Sequence, residues 1–255
     1  MNKAIKNKIY VWICSDVHWG SVHCDKRKFL QYIQWAKDTP NVRIFLLGDL
    51  IENAITTHIP EAMFDQDTQP KTQLDEIIEI FKPLRSKIDF CVVGNHELRT
   101  YYKTGFDPTE ILSTRLNIPY RQYGGYHLVK AGKQEYLFAF HHGASAALGN
   151  ARLDLDKLRK IYPDAEIFCC GHNHMTYAQQ FVVRSFTTQT KEKFVEKKIW
   201  YVRSGSFINY ADYAHRKLYE PQATGSSIVK LYTNQHLVDV STSDKIGSGF
   251  MKKTR

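Results

Sequence analysis

Side chains able to ligate metal ions recur in five short blocks: Asp16-Val17-His18, Gly48-Asp49-Leu50-Ile51-Glu52-Asn53, Gly94-Asn95-His96-Glu97, His141-His142-Gly143 and Gly171-His172-Asn173-His174. Carboxylate and amide oxygens with imidazoles, and no thiolate among them, suit borderline-hard divalent ions such as Mn, Fe or Zn. Taken singly, each block has an ordinary reading. Asp-x-His is noise, a Gly-Asp pair is commonly a turn, and His141-His142 could be one packed and one exposed imidazole. Five blocks in order are harder to dismiss, because each follows a run with the pattern of a strand. The flanking glycines allow tight turns and close backbone approach there, and ligands bind in open α/β sheets at the ends of strands.

Those strands alternate with helices over the first two thirds of the chain. Lys8 to Cys14 is a β-branched and aromatic run, and Val42 to Leu47 is continuously apolar, as expected of a strand covered on both faces. Ile88 to Val93 and Ala165 to Cys170 complete the set, with a hairpin over 119–140 turning at Ala131-Gly132-Lys133. Helical spacing predicts helices over Asp25 to Lys37, Thr72 to Lys87 (with Pro83 as a point to end or kink it) and Ala151 to Tyr162, and Asp107-Pro108-Thr109-Glu110 is a helix start with its cap. Residues 52–70 lack periodicity and contain Pro60 and Pro70, so they are expected to form an inserted loop or cap. After residue 175 the pattern is strands alone, over 176–186, 197–203 and 225–240. We expect one domain over 1–240, with a disordered basic tail over 241–255.

Taken together in this order, the five blocks resemble the calcineurin-like metallophosphoesterase superfamily. Its pattern is Asp-x-His, Gly-Asp-x-x-Asp/Glu, Gly-Asn-His-Asp/Glu, a lone His and Gly-His-x-His, and the resemblance spans residues 14–174. It implies an α/β fold, a four-layer α/β/β/α sandwich with two mixed β-sheets, in which the trailing strands fit the second sheet. It also implies two divalent metal ions, with Mn favoured and Fe or Zn as alternatives. By position, Asp16, His18 and His174 would hold one ion; Asn95, His172 and one of His141 or His142 would hold the other, and Asp49 would bridge them. Neighbouring strand residues face opposite ways, so only one of the two histidines can enter the site. His142, directly before Gly143, is preferred; a one-residue shift of the strand would select His141. His96 would meet the phosphoryl oxygen or the leaving group. Glu52, Asn53 and Glu97 are either groups that orient imidazoles or surface residues. Arg99, Asn150 and Arg152 are candidates for gripping a substrate phosphate, or plain surface residues.

The implied reaction is phosphoester hydrolysis by direct attack of a metal-bridging hydroxide, with no covalent intermediate. A phosphodiesterase or nuclease acting on DNA, RNA or a nucleotide is the favoured reading. The alternative is a phosphomonoesterase or protein phosphatase using the same site. A non-catalytic binding module without metals is the least favoured, since every ligand position is filled. The net charge of the 255 residues is +9, concentrated in the first thirteen residues (+3), in 184–203 (+4) and in the last fifteen (+3). A polyanionic partner would explain this, and so would solvated tails and a charged hairpin. Aromatic stretches at Tyr101-Tyr102, Tyr120 to Tyr126 and Tyr210 to Tyr219 could stack on bases or pack between sheets. Five cysteines without a Cys-x-x-Cys pattern suggest buried, reduced thiols and a cytoplasmic location. No apolar stretch approaches the roughly 20 residues that span a bilayer, so no membrane partner is expected.

Overall fold

The alternation of side chains along each strand sorts the apolar residues into three cores. In a computed structural model, which describes residues 7–55, 63–145, 150–187, 193–209 and 221–242, these cores separate four layers. The first sheet runs β10-β9-β1-β2-β3, formed by β1 (Lys8–Cys14), β2 (Val42–Leu46), β3 (Ile88–Cys91), β9 (Ile228–Tyr232) and β10 (Val238–Ser241). The second runs β4-β5-β6-β8-β7, formed by β4 (Gly124–Ala131), β5 (Gln134–His141), β6 (Ile167–Cys170), β7 (Thr176–Thr187) and β8 (Lys193–Ser204). Both sheets are mixed. β1, β2 and β3 are parallel while β9 and β10 are antiparallel; β5, β6 and β8 are parallel while β4 and β7 run against them.

Trp12, Cys14, Ile44 and Leu46 face the helices α1 (Lys26–Asp38), α2 (Pro70–Phe81) and α4 (Pro108–Leu116). Their alternates Val11, Ile13, Phe45, Phe90 and Val92 meet Phe138, Phe140, Ile167, Cys169 and Val202 of the second sheet. Ala139, Phe168 and Tyr201 face outward onto α5 (Leu153–Ile161). This is the α/β/β/α sandwich that the motif pattern implies. Across the middle core, Phe90 and Phe140 stack with ring centroids 4.0 Å apart. Truncating either to Ala would cost roughly 3–5 kcal/mol, so the pair pins the two sheets together a few residues below the strand ends.

Local signals fix the helix starts. Asp25 accepts from the Lys28 N–H to cap α1, and Asp107 accepts from the N–H groups of Thr109 and Glu110, with Pro108 in the first turn of α4. Three expectations need correction. The helix expected over Thr72 to Lys87 starts earlier, at Pro70, and breaks at Phe81, beside the Pro83 that could end it; residues 82–87 tighten to a 3₁₀ turn. A further helix, α3 (Asn95–Thr104), starts inside the third motif and is not among the helices expected from spacing. Of the trailing strands only β7 and β8 belong to the second sheet; β9 returns to pair with β1, and β10 follows it. The inserted segment expected over 52–70 is irregular among its described residues, and 56–62 lie outside them. The expected tail lies outside them beyond Thr242, as do the tyrosines of 210–219. All five cysteines are free and buried. Among the described residues, no helix is long and apolar enough to cross a membrane.

Candidate metal centre

The five blocks stand at the ends of β1, β2, β3, β5 and β6, where the backbone turns sharply under unusual geometry. Eight non-glycine residues have positive φ among the described residues, and five of them are Asp16 (52°), His18 (50°), Asp49 (51°), His172 (74°) and His174 (59°). Left-handed backbone costs a non-glycine residue about 1–3 kcal/mol and clusters where function demands it. Here it aims successive side chains of one short turn at a common point. Glycines bring the turns together: a Cβ on Gly94 would lie 2.2 Å from the Asp49 N–H nitrogen, and one on Gly171 would lie 2.5 Å from an Asp16 carboxylate oxygen.

Asp49 Oδ2 is central. It lies 3.3 Å from His142 Nε2 and 4.0 Å from the Nε2 atoms of both His18 and His96. On one side, His18 Nε2 and His174 Nε2 are 3.2 Å apart, and His174 Nε2 is 3.5 Å from Asp16 Oδ1. On the other, Asn95 Oδ1 lies 3.0 Å from His142 Nε2 and 2.7 Å from His172 Nδ1. Three groups of donors, Asp16/His18/His174, His18/Asp49/His96 and Asp49/His142/His172, each have ligand atoms within 4.8 Å of one another. Asp49 belongs to the second and third groups, and His18 links the second to the first.

Strand parity separates the two adjacent histidines. Phe138 and Phe140 face the core between the sheets, so His142 continues on that face while His141 follows Ala139 to the α5 side. His141 spends Nδ1 on the Gly143 N–H. His142 Nδ1 donates to the Leu47 carbonyl at 2.6 Å, which leaves Nε2 facing Asp49 and Asn95. His18 Nδ1 is likewise held by Glu52 Oε2 at 3.1 Å. An imidazole with one nitrogen fixed by a carbonyl or carboxylate and the other free is what metal coordination requires. The donor set, its shared carboxylate and the paired Nε2 atoms fit a pair of divalent cations.

Electrostatics agree. Burial pushes the Asp49 carboxyl up, but the surrounding imidazoles, His142 first, outweigh it and hold the group well below the ordinary range. Burial lowers His142, yet Asp49 beside it more than offsets that and raises it to about 10. His18 is raised, because Glu52 and Asp49 outweigh its burial. His174, lacking so close a carboxylate partner, is pushed down to about 4 by burial. The pocket thus draws positive charge to its centre, which a cation would supply.

Of the flanking residues, Glu52 holds an imidazole, that of His18, and the others divide. Glu97 orients no imidazole: its buried carboxylate accepts from the backbone N–H groups of Asp49 (3.0 Å), Leu50 (2.7 Å), Ile51 (3.3 Å) and Gly94 (3.1 Å), and so clamps the strained Asp49 turn. Asn53 ties the same loop to α3 by donating to the His96 carbonyl at 2.6 Å. Arg99 reaches the site, its Nη2 2.8 Å from His96 Nε2 and its Nη1 3.2 Å from the Glu52 carbonyl. Asn150 and Arg152 are not brought to the donor clusters by any hydrogen bond among the described residues. Asn150 accepts from the Arg152 N–H ahead of α5, and the Arg152 guanidinium lies 4.7 Å from the Phe181 ring and pairs with Asp156.

Arg203 belongs by sequence to the basic segment 184–203. It is completely buried and donates to the carbonyls of Gly171 (2.7 Å) and Ala151 (2.8 Å) and to Asp154 Oδ2 (3.1 Å). It therefore holds the backbone immediately before His172. Only its burial distinguishes it, and nothing in the local sequence announces that.

The calcineurin-like phosphoesterase family matches residues 9–195, which include every candidate metal ligand named above. The chain belongs to this family. No curated protein sequence matches it. Among solved structures, this phosphoesterase-family chain is similar to a predicted phosphoesterase from Streptococcus pneumoniae (16% identity over 93% of this chain and 91% of that one, TM-score 0.39). It is also similar to Vps29 from Chaetomium thermophilum (12% identity, 92% and 95%, TM-score 0.39) and to GAP50 of the Plasmodium inner membrane complex (12% identity, 95% and 86%, TM-score 0.43).

Proposed function

We propose that this member of the calcineurin-like phosphoesterase family is a hydrolase dependent on two divalent metal ions, and that its substrates are phosphodiesters of nucleotides or nucleic acids. The observation that carries the reading is the convergence of Asp16, His18, Asp49, Asn95, His142, His172 and His174 from five separate strand ends, with Asp49 Oδ2 within 4.0 Å of both His18 and His142. Asp16, His18 and His174 would hold one ion, and Asn95, His142 and His172 the other. Oxygen and imidazole donors without thiolate favour Mn over softer ions. Bound there, the cations would lower the pKa of a water toward neutrality and polarise the phosphate oxygens.

The chain's own groups supply the rest. His96 Nδ1 lies 2.6 Å from the Glu52 carbonyl, which can only accept, so that nitrogen carries the proton and Nε2 accepts from Arg99. Burial pushes His96 down to about 4, so it rests neutral. The fixed positive charge at this rim is therefore the Arg99 guanidinium, placed to donate to a phosphoryl oxygen beside His96. Backbone donation from the His96 N–H to Asp49 Oδ1 at 2.9 Å keeps Asp49 turned toward the centre. We take residues 1–240 as one catalytic domain, a reading supported by the return of β9 to β1, and a cytoplasmic location from the five buried free thiols.

The preference for diesters has less support from charge than the sequence count suggested. Arg203 is buried, and Arg184 pairs with Glu196 at 2.8 Å. Hydrolysis of bis(4-nitrophenyl) phosphate with added Mn²⁺, lost on chelation and in Asp49→Ala, is the expected result. Well-folded protein that takes up no divalent ion would sink the proposal, and faster turnover of 4-nitrophenyl phosphate would move it to a monoesterase.

A further inference from the structure

The stretch from Tyr120 to Tyr126 holds three tyrosines, and the fold sends each to a different environment. Tyr120 bridges to Cys91 and donates its hydroxyl to Asp107. Tyr126 packs edge-on against Tyr162, centroids 4.9 Å apart, on the α5 side of the second sheet. Tyr123 has no hydrogen-bond or ring partner among the described residues and is 48% exposed.

Its place follows from the backbone. The Arg121 N–H donates to the Cys91 carbonyl at 2.9 Å, and the Val93 N–H to the Gln122 carbonyl at 2.8 Å. Residues 120–122 thus run beside the end of β3 and arrive level with Gly94. Gln122, at φ 49°, turns the chain into β4, whose ladder with β5 begins at the Gly124–His141 pair. Tyr123 immediately precedes that pair in the turn, and the ladder continued by one residue would set it across from His142. His127, which meets Phe45 and Phe90, and Val129 both face the core between the sheets. The same alternation carried one residue past the start of β4 would turn Tyr123 to that face, at the end of the sheet where Gly94 and His142 follow their strands. Tyr101 and Tyr102 are also exposed, but they sit six and seven residues along α3 from Asn95, roughly 9–10 Å along its axis.

We propose that Tyr123 is a stacking platform for a nucleobase attached to the phosphoester, with exposed Arg121 alongside to meet a neighbouring phosphate. This rests on the hydrolase reading above and narrows its substrate to a nucleotide or nucleic acid. Stacking of one base on an aromatic side chain contributes about 1–3 kcal/mol whichever base it is. A half-exposed tyrosine with no other partner is free to make that contact.

The test compares a thymidine dinucleotide with its two abasic counterparts, which keep the backbone and charge and lack one base. Turnover with Mn²⁺ is followed by chromatography. In wild-type protein one abasic substrate should show a KM about fivefold or more above the dinucleotide's, the low end of stacking expressed as a ratio. Tyr123→Ala should erase that difference with kcat nearly unchanged, and Tyr123→Phe should preserve it. Equal KM values in the wild type, or a difference that survives Tyr123→Ala, would overturn the stacking role while leaving the hydrolase reading intact. So would a Tyr123→Ala loss confined to a phosphotyrosine peptide. No turnover of any phosphoester would defeat the hydrolase reading and this inference with it.

Discussion

Replacing Arg203 with Met keeps most of the buried volume and removes all three hydrogen bonds at once. Asp154, whose side chain is 6% exposed, is left as a carboxylate without its cation, and the carbonyls of Gly171 and Ala151 lose their donors. Removing one partner of a buried ion pair costs about 3–5 kcal/mol, because the other charge stays behind. For a chain of this size each kcal/mol lowers the melting temperature by roughly 2–4 °C, so a fall on the order of 10 °C is expected. Metal affinity should fall as well, by about 10–100-fold, as for groups that orient ligands from behind, because Arg203 holds the carbonyl just before His172. Urea unfolding of metal-free protein gives the first quantity and manganese titration the second. Asp154→Asn in the Arg203→Met background should recover part of the stability, because the stranded charge is gone. A single-variant loss below about 1 kcal/mol, or strictly additive variants, would refute the claim that a desolvated pair organises this loop.

Glu97→Gln replaces one oxygen that accepts from Asp49 and Gly94 with an amide that can only donate. We expect about 3 kcal/mol of destabilisation, since hydrogen bonds to a charged group contribute roughly 1.5–3 kcal/mol each. Unchanged stability and manganese binding would show that the Asp49 turn holds itself. The pH dependence has a definite sign. His142 is raised from 6.5 to about 10 in the folded, metal-free protein. Its contribution is complete below about pH 6.5 and is lost as the pH rises through 10, so chelated protein should melt progressively lower between pH 7 and 10. Cations displace that proton, so manganese affinity should rise with pH, by about tenfold per unit for each proton released. Chelated protein that grows more stable over this range would contradict the assignment.

The five blocks could be read from the chain because their signals are local. A strand, a glycine-opened turn and a ligand lie within a few residues of one another, and the backbone conformation they need is written in that short stretch. The α/β class was legible in the order of elements, apolar runs separated by helical spacing and then strands alone, and the four-layer sandwich came from the resemblance of the five blocks to their family. Glu97 misled because its type announces a carboxylate but not its target, and its four backbone donors come from two separate loops. Helix α3 was missed because its start coincides with the Asn95-His96 motif, whose residues favour turns when taken alone.

The chain by itself determined the kinds of donor, their order and the strands that carry them, since these depend on side-chain chemistry and on periodicity over a few residues. Contacts between distant segments were decided only by the tertiary structure. It showed which face of β5 meets the other sheet, and so that His142 rather than His141 turns inward. It sent β9 back to β1, buried Arg203 behind His172 and separated Tyr123 from its two neighbours. Burial and pairing of this kind arise from segments far apart in sequence, and no local pattern encodes them.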